Sequence, residues 1–346
     1  MVLTDEELTR YSRQTVLAEI GRVGQERLKN AKVSIAGVGG LGCVSATLLA
    51  AMGVGYLRII DQDVVDLSNL HRQYLYETGA LGYPKVEVAQ RRLKAMNPGV
   101  EVEALPMVIT RDTAEQIVKG VDIVVDALDH FAPRYAINEA CVRNGVPYIY
   151  GGALATYGNV STIIPGESAC LECIIGRMDD GAMPTCETAG VFPPVLSVVS
   201  SIQVREAIYL LLGKKPLLTN KLLYADLNSL EFQEFNVLRR PDCGVCGETV
   251  RQAKPKLSDV KVVELCGKNS YMVSPPTPLS LDLDRSAQKI GEAFKMKIKA
   301  AFGLTFDYSE RVTASLMKTG NMLIKGAEDN REAIAIYDKV MKTIES

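Results

Sequence analysis

Histidine is scarce in this chain: 346 residues contain two, His71 and His130. No acid–base pair of the kind a hydride-transfer site uses is visible, which argues against a nicotinamide dehydrogenase. Long apolar runs are also missing. None reaches the ~18 residues that would cross a bilayer. The N-terminus, "MVLTDEELTR", is acidic and has no apolar core, so it does not read as a signal peptide. No membrane association is expected, and the expected location is cytoplasmic. Tandem repeats and low-complexity segments are absent. Net charge is −2, with 47% hydrophobic and 23% charged residues. That is ordinary for a globular chain, and the length suits about two domains.

Eight cysteines are present. A cytoplasmic setting argues against disulfides. Cys170 with Cys173, and Cys243 with Cys246, form two C-x-x-C pairs. Each pair can chelate one ion from a tight turn, and two pairs complete a closed tetrahedron of four thiolates, the pattern of structural zinc. The separation of 70 residues from Cys173 to Cys243 means that zinc would pin two distant segments together. Cys43, Cys141 and Cys266 stand in apolar contexts and read as small buried residues. Cys186, in the Gly- and Pro-bearing stretch "AMPTCETAG", reads as a loop thiol with no histidine near it in sequence.

Hydrophobic patterning gives the architecture. Residues 4–31 read as helical, with Thr4 as N-cap and Glu7 as its capping-box partner. From "KVSIAGV" to "PYIYGGA", strands alternate with helices, which predicts an α/β chain with a Rossmann-like, parallel, doubly wound sheet. Beyond Gly152 come a strand, the first cysteine pair, an apolar helix at "VLSVVSSIQVREAIYLLLG", two strands around an Asp-Leu-Asn turn, and a cysteine knuckle. The expected division is a nucleotide-binding domain over 1–250 with a zinc-pinned second half, a linker over 251–258, and a small α+β domain over 259–346. Residues 251–346 carry sixteen basic against twelve acidic side chains. The plainest reading of that excess is a solvated surface, with nucleic acid not expected. The sharper one is electrostatic steering of an acidic partner protein.

The stretch "SIAGVGGLGC" carries Gly37, Gly39, Gly40 and Gly42 in a G-x-G-x-x-G arrangement, a phosphate-cradling loop after a first strand. Alone it leaves NAD, FAD and ATP open. Asp61 ends the next strand, where a ribose-binding acid belongs. Behind it, Asn69, Arg72 and Lys85 supply an amide and two cations, which a triphosphate needs because cleavage places charge on phosphate oxygens. Asp129, at a strand end on the ligand side of the sheet, suits Mg2+. Asp63 competes with Asp61 for the ribose and otherwise stands as a neighbouring acid.

The ordered motifs "RYSRQ", "GVGGLG", "DQDVVDLSNLHRQ", "GYPKVE", the aspartate of "DALDH", "CLEC", "TCETAGVFPP" and "CGVCG" resemble those of the molybdopterin-synthase and thiamine sulfur-carrier adenylyltransferases. These are prokaryotic relatives of ubiquitin-activating enzymes. The resemblance spans about residues 4–248 and implies that the loop holds ATP. It implies Gly40 against the nucleotide, Asp61 on the ribose, Ser68, Asn69 and Arg72 along the phosphates with His71 between them, Lys85 on phosphate and Asp129 on Mg2+. It also implies that Arg13 reaches the γ-phosphate of a neighbouring subunit, making the enzyme a homodimer. Cys186 matches a cysteine with a thioester or persulfide role in some members. His130 departs from the family's asparagine. The implied activity is ATP-dependent adenylation of the C-terminal glycine of a small ubiquitin-like or sulfur-carrier protein ending in Gly-Gly. The alternatives are a ubiquitin-type activator that passes the modifier on, and an inactive scaffold. No rhodanese-like domain is expected within these residues. A C-terminal extension on some archaeal-type members resembles the tail.

Overall fold

The computed structural model describes residues 2–178, 180, 188–248, 261–264 and 269–346. Cys186, Cys266 and the expected linker lie outside the described residues.

Three short helices open the chain: α1 (Asp5–Arg10), α2 (Ser12–Thr15) and α3 (Gly21–Asn30). Thr4 and Glu7 close the expected capping box on α1. The alternating region follows as β1 (Lys32–Ala36), α4 (Gly40–Ala51), β2 (Tyr56–Ile60), α5 (Lys85–Met96), β3 (Glu101–Leu105), α6 (Arg111–Val118), β4 (Ile123–Asp126), α7 (Phe131–Asn144) and β5 (Tyr148–Leu154). Then come β6 (Tyr157–Ile163), α8 (Leu171–Ile175), α9 (Pro193–Leu211), β7 (Lys221–Asp226) and β8 (Glu231–Asn236). One eight-stranded sheet joins them in the order β3-β2-β1-β4-β5-β6-β7-β8. The first five strands are parallel and β6–β8 are antiparallel, so the later strands extend the same sheet.

The apolar strand runs are explained by burial on both faces, as parallel strands require. Val33, Ile35, Leu57, Ile59, Ile123 and Val125 point into a core made with α4, α5 and α9. Ala36, Ile60 and Val124 point the other way, into a core shared with α6 and α7. By length and composition α9 would cross a membrane, contrary to the expectation that no run does. Here it lies across the sheet: Val195, Val199 and Ala207 are wholly buried, and Gln203 donates to the carbonyls of Asp126 and Ile149.

A second, antiparallel sheet contains β9 (Lys261–Glu264), β10 (Ser270–Ser274), β11 (Lys295–Lys299), β12 (Gly303–Asp307), β13 (Thr313–Met317) and β14 (Met322–Lys325). Its order is β11-β12-β13-β14-β10-β9. Helices α10 (Leu283–Ala293) and α11 (Asn330–Glu345) cover one face around Phe306, Ile336 and Val340. The opposite face sends Met272, Met317 and Leu323 against Val64 and Val108 of the larger unit.

In the first sheet the chain reverses direction between β1 and β4, and ligands of such sheets bind in the crevice outside that switch point. The glycine loop sits there. Gly37 has φ +95°, and a Cβ on it would stand 2.7 Å from the Ala127 carbonyl oxygen. A Cβ on Gly42 would stand 2.1 Å from the Gly37 carbonyl oxygen. Helix α4 therefore packs against its own loop at a distance that only glycine allows. Gly42→Ala should cost about 1–3 kcal/mol, as overpacking against fixed backbone does. Gly291, in α10 with nothing within 4 Å of its missing side chain among the described residues, gives the opposite sign: Gly291→Ala should gain about 0.5–1 kcal/mol from reduced unfolded-chain entropy. Denaturant unfolding of both variants checks this; equal effects would contradict the packing account.

Candidate active site

Four segments converge on the crevice: the glycine loop, the chain after β2, the first turn of α5, and the chain after β4. Asp61 joins the first two. One carboxylate oxygen accepts from the Val38 N–H at 2.8 Å and the other from the Asp63 N–H at 2.9 Å. Its place at the mouth of the loop is thus set by backbone, and burial pushes its pKa up.

Lys85 begins α5 and is only 5% exposed. A buried ammonium needs a partner, and Asp63 supplies one at 3.0 Å. Burial would depress the Lys85 pKa, but the carboxylates of Asp63, Asp61 and Asp129 outweigh it and raise it above the usual lysine range. The Lys85 N–H also donates to the Asp63 carbonyl at 2.9 Å, which pairs the two segments through backbone. Asp63, left open between two roles from sequence, is therefore the partner of Lys85.

Between these segments lies a 3-10 turn, Leu67–Asn69, capped by Asp66. Asp66 accepts from both the N–H and the hydroxyl of Ser68. The Asn69 side-chain oxygen accepts in return from the Asp66 N–H at 3.2 Å. The Arg72 guanidinium donates to the Ser68 carbonyl at 2.7 Å. The turn thus presents Ser68, Asn69 and Arg72 together, with exposed His71 beside Arg72.

Asp129 follows β4 on the same rim, its side chain 69% exposed and its carboxylate 2.8 Å from the His130 ring. Desolvation in the cleft would raise its pKa, but the hydrogen bond and charge of His130, with the charges of Lys85 and Arg134, bring it down to about 2. In the structure His130 is thus an electrostatic partner of the neighbouring acid.

Sequence reasoning missed two residues. Arg134, in the first turn of α7, is buried 3.1 Å from the wholly buried Asp126. It donates to the carbonyls of Leu128 and Gly151, fixing the backbone that carries Asp129. The one signal available was a cation on the first turn of the helix that follows β4. Gln73 is 4% exposed, its side-chain nitrogen faces Gly39, and its side-chain oxygen has no hydrogen-bond partner among the described residues. It stands inside "SNLHRQ", directly after the cation read there.

Around the loop, the Cβ position of Gly40 is filled by Leu196 of α9, and that of Gly39 faces open space apart from Gln73. Arg13 stands apart from this cluster. Tyr11 packs on Gly53, and Gln14 donates to the Met52 carbonyl, so α2 is held by its neighbours while Arg13 is exposed. Cys43 and Cys141 are buried as expected, and burial pushes the Cys43 thiol up to about 12.

The four paired cysteines form a second cluster. Their sulfur atoms all lie within 4.8 Å of one another, with Cys170 to Cys243 at 3.6 Å and Cys173 to Cys246 at 3.5 Å. These separations are too long for disulfides. They match the roughly 3.8 Å edge of a tetrahedron built from ~2.3 Å Zn–S bonds. Burial would raise the Cys243 thiol, but backbone N–H groups of Cys246 and Val245 and the neighbouring thiols bring it down to about 7. The cluster joins α8 to the knuckle after β8.

One titration tests this site. With a folded-state pKa of about 2, below the ordinary ~3.9, Asp129 adds stability above the ordinary value that is lost as pH falls through about 2. Its exposure keeps that contribution small. Replacing His130 with Ala should move the Asp129 titration up toward the ordinary range, followed by carboxyl 13C NMR. An unmoved titration would assign the shift to Lys85 and Arg134 alone.

Proteins of known name resemble this chain. A sulfur carrier protein adenylyltransferase from Thermus thermophilus is 43% identical over 256 residues, covering 72% of this chain and 94% of the relative. A sulfur carrier protein ThiS adenylyltransferase from Bacillus subtilis is 34% identical over 336 residues, covering 95% of this chain and 98% of the relative. A crystal structure of E. coli MccB with ATP matches with a TM-score of 0.62 at 29% identity, covering 70% of this chain and 75% of that one. The ThiF family model matches residues 11–245, and the chain belongs to the ThiF family.

Proposed function

We propose that this crevice uses ATP to adenylate the C-terminal glycine carboxylate of a small ubiquitin-like or sulfur-carrier protein. The observation that carries the reading is the convergence of buried Lys85, the capped Ser68–Arg72 turn and Asp129 on a glycine loop at the switch point of the sheet. The relatives' names and the ATP-bound neighbour support it. Arg72, Lys85 and Asp129 stand in one arrangement, which argues against an inactive scaffold, and the relatives named as sulfur carrier protein adenylyltransferases favour this reading over a conjugating activator.

In this reading the loop and Asp61 hold the nucleotide, and Lys85, Arg72 and Asn69 hold the phosphates. The carrier's carboxylate oxygen attacks the α-phosphorus. The α–β bridging P–O bond breaks, and pyrophosphate leaves with its electron pair. No protein nucleophile and no general base are required, because the carboxylate is already ionised. Rate then comes from positioning and from fixed positive charge facing the charge that develops on phosphate. Asp63 keeps the Lys85 ammonium aimed before nucleotide arrives. Asp129, ionised at all working pH, would hold Mg2+, which neutralises phosphate charge when bound. Arg13, exposed on α2, would complete the site of a partner subunit in a homodimer. The cysteine cluster would hold structural zinc, which in a closed four-thiolate site contributes folding energy. A cytoplasmic location belongs to the same reading.

Arg72→Ala and Lys85→Ala should each lower carrier-dependent ATP–pyrophosphate exchange by about 10²-fold or more, since each removes a preorganised charge from the transition state. Exchange at the wild-type rate in both variants would overturn the assignment. Metal analysis should find one zinc per chain. Cys243→Ser should lose it and melt earlier, while the fraction still folded keeps most of its exchange rate. A fully active, stable protein without zinc would contradict the structural role.

A further inference from the structure

The excess of basic side chains after residue 250 suggested a surface that steers an acidic partner. In the structure part of that charge is already paired. Lys297 and Lys299 meet Asp307 and Asp284, and Arg311 meets Glu328 and Glu332. One further pair reaches outside the second sheet. Lys325, the last residue of β14, places its ammonium 2.6 Å from Asp66.

Asp66 is the cap of the turn that carries Ser68, Asn69 and Arg72. One of its oxygens accepts from Ser68, while the other accepts from Lys325. Desolvation would raise the Asp66 pKa, but the Lys325 hydrogen bond and charge and the Ser68 donors pull it well below the carboxylate range. A chain of contacts runs from Lys325 through Asp66 and Ser68 to the Arg72 guanidinium.

The same sheet holds the other side of the phosphate region. The Thr305 hydroxyl donates to the Gly82 carbonyl at 2.8 Å, and the Phe302 N–H donates to the Glu87 carboxylate at 2.9 Å. These contacts flank Lys85. The segments they grip are themselves paired: Val65 N–H to the Tyr83 carbonyl and Gly82 N–H to the Val65 carbonyl, both at 2.9 Å. Apolar contact of Met272, Met317 and Leu323 with Val64 backs the same stretch.

We propose that the second sheet is a brace for the triphosphate site, and that Lys325 is a positioning residue which fixes Arg72 and Asn69 through the Asp66 cap. Thr305 plays the matching part beside Lys85. Neither residue meets nucleotide. Each acts by holding a segment whose side chains do, so that these groups are misaligned for less of the time in the free protein. The inference rests on the adenylation reading for its consequence, while its structural half stands without nucleotide.

The test uses the full chain as wild type, Lys325→Ala, Lys325→Arg and Thr305→Val. Hydrogen exchange is measured first without nucleotide. In Lys325→Ala the amides of Ser68 and Asn69 should exchange about tenfold faster, since local opening free energy falls when a cap is loosened. Lys325→Arg should restore protection to within about twofold. Thr305→Val should speed exchange over 82–87 and leave 68–69 alone. Calorimetric binding of Mg·ATP should weaken about three- to tenfold in Lys325→Ala at low salt and less at high salt, with KM for ATP raised and kcat nearly unchanged. Should Lys325→Ala fail to fold, Lys325→Gln carries the same comparison. Unchanged exchange at 68–69 in folded Lys325→Ala or Lys325→Gln overturns the brace. A wild-type protein that binds no Mg·ATP overturns the adenylation reading, and exchange still decides whether the brace exists.

Discussion

A buried ammonium organises this protein. Lys85 starts a helix inside the crevice, almost wholly removed from water, in a position where an unpaired charge would be costly. It is tolerated because Asp63 meets it directly and because Asp61 and Asp129 face it across the gap. Those three acids come from two different strand ends. Keeping them in place requires the strands to end where they do, the glycine loop to close against Ala127, and Asp61 to tie that loop to the chain after β2. The charge therefore depends on the sheet, and the geometry of the phosphate region depends on the charge.

Rigidity elsewhere serves the same crevice. Arg134 and Asp126, buried together, lock the backbone before Asp129. Helix α9 backs the glycine loop through Leu196 and the ends of β4 and β5 through Gln203. The cysteine cluster closes the distant end of the antiparallel strands, so that a late segment of the chain is tied to α8. The second sheet, covered by helices on one face, uses its other face to press on the two paired segments that carry the cations. The arrangement is held by buried pairs and by hydrogen bonds to backbone carbonyls. That suits a reaction in which the protein contributes position and charge rather than a covalent bond.

Much of this was legible in the sequence, because local chemistry wrote it there. Thr4 and Glu7 announced a capping box that forms. The alternation of apolar strands with helices pointed to the parallel sheet, since strands buried on both faces have no polar side to show. The C-x-x-C pairs announced a four-sulfur cluster that the fold assembles across a separation of 70 residues. What was not legible depends on tertiary neighbours. Asp63 could not be told from Asp61, because only the fold shows which one meets Lys85. Nothing in the sequence marks Arg134 as buried, as periodicity does not reveal that Asp126 and two carbonyls await it. Helix α8 is too short to leave a periodic trace. The basic excess of the tail read as a surface property, whereas the Lys325 charge is held by Asp66, 259 residues away.

The central claim is that this crevice joins a carrier's carboxylate oxygen to the α-phosphorus of ATP. The most direct measurement follows that oxygen. A Gly-Gly carrier labelled with 18O in its terminal carboxylate is incubated with the enzyme, Mg2+ and ATP, and the activated acyl group is then captured with hydroxylamine. Attack at the α-phosphorus predicts one labelled oxygen in the released AMP and none in inorganic phosphate or pyrophosphate. Label in inorganic phosphate would mean attack at the γ-phosphorus, and label in neither would mean that the carboxylate is not activated here; either result would contradict the account.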